Sequence, residues 1–379
     1  MSSDLGLRPV VRYRPTVAVV DLGAVRHNAA ALRPETAELI AIVKADAYGH
    51  GAVPVARAAT AAGAARLGVA LVEEGTELRA AGLEVPILTL TELPPGSEGE
   101  ALRAGLTPTL YTTAALSRLV SAAGGRPVAA QVKVDTGMHR VGVPWDRAAQ
   151  FVGEVLGAGV ALEGVWTHLA NAEDPTDPFT GVQLERFRGV LDRLRGAGIC
   201  PGLVHAANSA GRLARPDALF DAVRVGVALY GVSPGPGVDE EVSELGLRPA
   251  LSLRSAVSFV KRLPAGEAVS YGQTYRLERD ATIATVPVGY ADGYPRALSN
   301  RGEALIGGRR RRVIGSVTMD QLLVDCGDDT VDVGDEVILL GRQDEQEITA
   351  AELADRAGTI PYEIVCRLGV RVPREYVGT

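Results

Sequence analysis

Aromatic residues make up only 4% of this 379-residue chain, which leaves little surface for stacking nucleobases. Basic residues are also in deficit: 39 Lys and Arg stand against 46 Asp and Glu, a formal charge of −7. A protein built to neutralise phosphate backbones would tilt the other way, so nucleic acid is excluded as a partner. Cysteine is scarce. Cys200, Cys326 and Cys366 lie far apart, are odd in number and match no CxxC spacing, so they read as reduced core residues of a cytosolic protein. The five histidines include no HxxxH pair, and no metal centre is expected. No apolar run reaches the ~18 residues of a membrane span, and the opening MSSDLGLRPVVRYRP lacks the apolar core of a secretory signal. These absences point to a soluble cytoplasmic protein with no membrane partner.

What is present is a hydrophobic content of 46%, with 44 Gly and 22 Pro as punctuation. From about residue 38 to residue 230, short apolar runs alternate with Ala-, Leu- and Arg-rich amphipathic stretches. The runs are LIAIVK (39–44), RLGVAL (66–71), VPILTL (85–90), TPTLY (107–111), AQVKV (130–134), LEGVWTHL (162–169), GLVHAA (202–207) and AVRVGVALYG (222–231). Helix candidates fall between them at 52–65 and 178–198. In the second, Val182, Leu184, Phe187, Leu191 and Leu194 share one face at helical spacing. Eight strand-like runs alternating with helices predict an α/β chain, and eight is the count that closes a (β/α)₈ TIM-type barrel. A doubly wound open sheet is the competitor, but GxGxxG does not follow the first strand.

After residue 246 the texture changes. Short strands with Gly, Pro and Asp turns predict a mostly β C-terminal domain over 247–379, with helical periodicity only near 348–359. The barrel is expected over 1–246. TVAVVD (16–21) precedes the eight runs and suits a strand added to the β domain. The four arginines at 309–312 read as a solvated hairpin edge that blocks sheet-to-sheet association.

In a barrel, chemistry gathers at the C-terminal ends of the strands. Lys44 ends the first run, Lys133 and Arg140 lie at and after the fifth, and His168 follows GVWT. Asn208 and Ser209 follow VHAA, and Arg224 lies in AVRVG. Lys44 has two readings on residues alone: a strand-end lysine reaching solvent, or an amine at a site mouth with a lowered pKa. Its context KADAYGHG adds a tyrosine and two glycines that would let the backbone approach a ligand.

VKADAYGHGA (43–52) resembles the signature of the alanine racemase family, pyridoxal-phosphate enzymes that pair a (β/α)₈ barrel with a β domain. The resemblance extends along nearly the whole chain: KVDTGMHRVG (133–142), WTHLANAED (166–174), HAANSAG (205–211), RVGVALYGVSP (224–234), VSYGQTYR (269–276), VGYADGYPR (288–296), TMDQ (318–321) and TIPYEIVCRLG (359–369). It implies pyridoxal 5'-phosphate as cofactor, alanine as substrate, and a homodimer with shared active sites. Lys44 matches the lysine that links the cofactor and serves as one base. Tyr271 matches the second base, which relatives take from the other subunit. Arg224 matches the arginine facing the pyridine nitrogen, where a cation disfavours ring protonation, and His168 matches its supporting histidine.

The same resemblance gives Tyr48, Ser209, Tyr362 and the backbone N–H groups of Gly226 and Val227 to the phosphate, with Asn208 beside them. An Asn or Ser helix cap is the local reading of Asn208–Ser209, and both can hold. Arg140 and the Met319 backbone N–H match the substrate-carboxylate ligands, and Tyr290 and Asp320 match residues that limit the side chain admitted. Lys133 matches a lysine that in many relatives carries a carbamate and orients Arg140; its local alternative is a pair with Asp135. Thr318, His139 and Leu169 depart from the common pattern. The function implied is interconversion of L- and D-alanine for peptidoglycan, with a broader amino-acid racemase as the alternative. Arg224 argues against a decarboxylase of this fold, in which an acid stands at that position. A catalytically silent cofactor carrier would resemble the barrel alone, so the β domain with Tyr271 speaks against it.

Overall fold

The computed structural model describes residues 13–379, and the chain divides into two compact units. One holds Asp21–Ala250 with Tyr376–Thr379; the other holds the described residues through Val20 with Leu251–Glu375.

The first unit is a parallel barrel. Its strands are β1 (Glu38–Ile42), β2 (Arg66–Val69), β3 (Ile87–Thr89), β4, β5 (Val128–Asp135), β6 (Val160–Trp166), β7 (Leu203–His205) and β8 (Ala222–Val225). Pro108 splits β4 into Leu106–Thr107, which pairs with β3, and Thr109–Leu110, which pairs with β5. Proline has no N–H to give a ladder, so the break falls there. Nine segments thus supply the eight expected strands in a nearly closed ring, with β8 parallel to β1 through Arg224↔Ile40. Every one of the eight apolar runs contributes a strand. In β1, Leu39, Ile40 and Ala41 are fully buried, as strands covered on both faces must be.

The helix at Phe179–Gly196 forms where the periodicity places it, but its buried face is rotated from the expected one. Val182 is exposed, while Gln183 and Val190 turn inward. The cause is polar. The Gln183 amide accepts from the Ala170 N–H at 2.8 Å and donates to the His168 carbonyl at 3.1 Å, which fixes that side chain inside.

The second unit is an antiparallel sheet. Val17–Asp21 pairs with Leu251–Ala256, from Val17↔Arg254 to Val20↔Leu251. Val269, Leu277, Ala281, Ile283 and Ile314 form a core cluster. The arginine run lies on the strand Arg309–Ile314, paired to Glu303–Ile306. One of its members corrects the solvated-edge reading: Arg311 is buried, donating to the Cys326 carbonyl at 3.0 Å and to Asp329 at 2.8 Å. Strand alternation puts it on the face opposite to its neighbours. Cys326 beneath it is buried too, and burial pushes its thiol up to about 11. Among the described residues, no helix is long and apolar enough to cross a membrane, and no His, Cys, Asp and Glu group has metal-binding geometry.

Candidate active site

Lys44 follows β1 after the single residue Val43, and the chain then does something unusual. Ala45, Asp46, Ala47 and Tyr48 all have φ between 52° and 54°, one turn of left-handed helix built without glycine. For L-residues this costs roughly 1–2 kcal/mol each, so the surroundings must hold it. Glu74 does much of that: Oε1 accepts from the Ala45 N–H at 2.6 Å, and Oε2 from the N–H groups of Ala70 and Leu71. At the other end Asp46 Oδ1 accepts from the Ala52 N–H at 2.7 Å, and the Asp46 carbonyl from the Gly51 N–H at 2.9 Å. Strain concentrated at one rim of a barrel is a mark of function.

The turn makes a test. Ala45 is exposed, so Ala45→Val changes backbone preference and little else. A β-branched residue resists positive φ, and Ala45→Val is expected to lower stability by about 1–2 kcal/mol. Ala45→Gly should not, when both are compared by thermal melting.

Gly51 corrects the reading that both glycines make room for a ligand. A Cβ at Gly51 would sit 1.9 Å from the Tyr376 hydroxyl, so the space serves the chain's own C-terminal segment. Gly226 is different. A Cβ there would lie 2.5 Å from the Tyr48 hydroxyl, which therefore stands directly over bare backbone after β8. Ser209 Oγ accepts from the Gly226 N–H at 2.9 Å and from the Ala228 N–H at 3.4 Å, leaving its own O–H to donate elsewhere. Asn208 caps the helix Ser209–Ala214, accepting from the Gly211 N–H at 2.9 Å. Tyr48, Ser209 and Gly226 thus converge on one cradle, with Val227 next in the chain.

Arg224 on β8 is buried. Its guanidinium donates to His205 Nδ1 at 2.6 Å, the Thr167 carbonyl at 2.7 Å, the Ala206 carbonyl at 2.9 Å and His168 Nδ1 at 3.1 Å. None of these acceptors is a carboxylate. Burial pulls Arg224 down to about 9, so it stays charged at neutral pH. Burial, and then Arg224, hold His168 and His205 well below the ordinary histidine range, and both are neutral. Trp166 underlies the group: its ring has Arg224 at 4.7 Å and Lys133 at 4.5 Å from its centroid, and it stacks on His205.

Lys133 is buried, and its ammonium is pushed down to about 7 by burial first, then by Arg224 and Arg140. The local alternative of a pair with Asp135 is not what forms. Asp135 instead accepts from the Gly137 and His139 N–H groups and meets the His139 ring at 3.1 Å. Arg140 itself is exposed. The charges of Lys44, Arg140 and Arg224 all act on Lys133 and on His168, so the four cations occupy one neighbourhood.

This shift predicts a pH dependence. Below pH 7 both folded and unfolded chains hold the Lys133 proton; between about 7 and 10.5 only the unfolded chain does. Stability must therefore rise with pH across that window. In CO₂-free buffer, wild type is expected to gain a few kcal/mol on Lys133→Met between pH 7 and 10, read by denaturant titration at each pH.

In the second unit, Tyr271 sits at the tip of a hairpin between Ala268–Val269 and Tyr275–Arg276 and is 76% exposed. Ser316 Oγ donates to the Tyr271 carbonyl at 2.9 Å, and Ser270 Oγ donates to the Ser316 carbonyl at 2.8 Å, so the tip is tied down. Met319 and Tyr290 are exposed, Asp320 accepts from Arg371 at 2.8 Å, and Tyr362 is half-buried on the helix Pro361–Cys366.

Four cations, two neutral histidines, hydroxyls and bare backbone suit a phosphate-bearing aromatic group. Most of them are legible in the sequence. Glu74, which looks like any surface acid, is not, nor are His205, Thr167 and Trp166, although His205 and Trp166 open two of the motifs quoted.

Comparison with known proteins fits this geometry. Residues 20–234 match the family model "Alanine racemase, N-terminal domain", and residues 250–376 match "Alanine racemase, C-terminal domain". The chain belongs to the alanine racemase family. An alanine racemase of Symbiobacterium thermophilum is 50% identical over 372 residues, covering 96% of this chain and 98% of that one. The crystal structure of alanine racemase from D-cycloserine-producing Streptomyces lavendulae is similar at a TM-score of 0.93 and 44% identity, covering 97% of this chain and 98% of that chain. Alanine racemase from Bacillus anthracis, solved with bound L-Ala-P, has a TM-score of 0.90 at 37% identity, covering 98% and 97%. The family is pyridoxal-phosphate dependent, and its members are isomerases.

Proposed function

We propose that this protein interconverts L- and D-alanine by a two-base mechanism, supplying D-alanine for peptidoglycan from the cytoplasm. The observation that carries the reading is Arg224, a buried cation whose hydrogen-bond partners are all neutral. A carboxylate in its place would favour a protonated pyridine ring and other chemistries.

Pyridoxal 5'-phosphate, when bound, supplies an electron-withdrawing π-system that acidifies the substrate Cα–H. Tyr48, Ser209, Tyr362 and the N–H groups of Gly226 and Val227 would hold its phosphate, and Arg224, steadied by His168, would meet its ring nitrogen. Asn208 keeps Ser209 in place through its cap. Inversion at carbon needs a proton taken from one face and returned to the other. The Lys44 amine would serve one face, and the phenol of Tyr271 of the partner subunit the other, in a homodimer that shares its sites. The exposure of the Tyr271 ring supports that assignment.

Arg140 would grip the substrate carboxylate with two parallel N–H bonds, with the Met319 N–H on the same group. Lys133, half-neutral near pH 7, is ready to take up CO₂: the amine attacks the carbon, a proton leaves, and the resulting carbamate anion would orient Arg140. Tyr290 and Asp320 would limit the side chain admitted. A broader amino-acid racemase is the second reading.

Purified protein loaded with cofactor is expected to convert L-alanine to a racemic mixture in a chiral assay, far faster than bulkier amino acids. Comparable rates across the panel would establish the broader reading instead. Borohydride reduction followed by peptide mapping should place the pyridoxyl label on Lys44, and label on another lysine would refute its role.

A further inference from the structure

Arg224 presents a problem that its own neighbours do not solve. A buried cation is costly without a counter-charge, and its four acceptors are neutral. Following the hydrogen bonds onward does reach one. His205 Nε2 lies 2.8 Å from Gln131 Oε1, and Gln131 Nε2 donates to Glu163 Oε1 at 3.1 Å. Glu163 Oε1 also meets Arg66 at 2.7 Å, while Thr107 Oγ1 donates to Oε2 at 3.1 Å. Arg66 closes the network on Glu38 at 2.8 Å.

We propose that Glu163 is the remote counter-charge of Arg224, acting through Gln131 and His205 as positioning residues that aim the guanidinium. The proposal deepens the racemase reading and rests on it for its effect on rate.

The chain permits a single order of donors and acceptors. A guanidinium only donates, so His205 Nδ1 must accept. The ring is neutral, so its one proton is on Nε2 and points at Gln131 Oε1. The amide then has only N–H to offer Glu163, which as a carboxylate only accepts. Every bond therefore points the same way, from cation to anion, and the dipoles reinforce one another. Reversing any member would set N–H against N–H. Arg224 and Gln131 thus require the same Nε2–H tautomer of His205 from its two sides, and the carboxylate beyond Gln131 strengthens the lone pair that Arg224 meets.

The placement supports a relay. The participants come from β1, β2, β4, β5, β6, β7 and β8, with Glu38 and Arg66 the first residues of their strands and Arg224 near the end of its own. The path descends through the barrel from the functional rim to the floor. The ordinary reading of floor residues is stability alone, and the experiment must separate the two.

With only five histidines in the chain, ¹⁵N-histidine labelling gives a direct readout in the cofactor-free protein. Wild type is expected to show His205 as the Nε2–H tautomer alone. Gln131→Met removes the acceptor; Arg224 still holds the tautomer, but the His205 Nδ1 resonance should shift as its lone pair loses the polarisation that reaches it from Glu163. In the loaded enzyme it should lower kcat about tenfold, the effect of one lost buried hydrogen bond, with KM for alanine within about twofold and an altered cofactor absorbance. Glu163→Gln keeps the hydrogen bonds and removes the charge; kcat is expected to fall about threefold with the tautomer retained.

An unchanged His205 Nδ1 resonance in Gln131→Met overturns the relay. So does a shifted resonance with kcat and absorbance as in wild type, because the residues would then serve stability alone. Should Gln131→Met not fold, Glu163→Gln decides: unaltered kcat and absorbance refute the counter-charge. If wild type racemises no amino acid, the functional reading fails while the tautomer measurement still stands.

Discussion

Lys44→Ala is expected to reduce alanine racemisation by about 1,000-fold or more, since a positioned proton-transfer group contributes 10²–10⁴ and the covalent hold on the cofactor is lost as well. Tyr271→Phe, which removes only a hydroxyl at an exposed hairpin tip, should cost a similar factor in at least one direction. Neither substitution disturbs a core. Both proteins should melt within about 1 °C or 2 °C of wild type, as surface changes do. The decisive measurement is their mixture. In a homodimer with shared sites, a hybrid of the two carries one site with both defects and one with neither. Exchange under mild denaturant, verified by mass, should restore about a quarter of wild-type activity on the statistical expectation that half the dimers are hybrids. Verified exchange with no recovery would place Lys44 and Tyr271 of one chain in the same site.

Arg224→Glu should have the second large effect, and the structure sharpens what to expect. The side chain at 224 faces two carbonyls and two imidazole nitrogens, all acceptors of hydrogen bonds. A glutamate there is either protonated, satisfying one of them, or charged against all four. Breaking a buried charged network in this way costs about 3–5 kcal/mol, so a lower melting temperature is expected.

Among molecules that fold, racemisation should fall by about 100-fold or more, as when an electrostatic group in an active site is removed. With alanine added, the loaded variant should develop long-wavelength absorbance that wild type lacks, and a larger share of amino-group transfer. The reason is charge: a carboxylate favours a proton on the pyridine nitrogen, and a guanidinium opposes it. Arg224→Lys keeps the charge and loses the fork, so it should retain the wild-type spectrum at reduced activity. An Arg224→Glu protein that keeps its cofactor, shows no new band and racemises normally would remove Arg224 from the mechanism.

The architecture of the barrel and the neighbourhood of the chemistry are legible in the residues alone. Strand and helix periods are short-range, so eight apolar runs and the helices between them could be read directly, and strand-end positions put Lys44, Lys133, His168 and Arg224 on one rim. The motifs named a family because they are long and ordered.

The rest follows from long-range packing, for reasons no local pattern carries. Val182 faces out because Gln183 finds partners in the loop after β6, and Arg311 is buried because alternation aims it at Asp329. Ala45–Tyr48 take a left-handed turn that their composition disfavours, because Glu74, 29 residues from Ala45, holds its first amide. Lys133 is near neutral because closing the barrel removes water and brings Arg224 and Arg140 alongside. Charge state, hydrogen-bond order and imposed strain depend on groups far apart in sequence, and they acquire values only when folding brings those groups together.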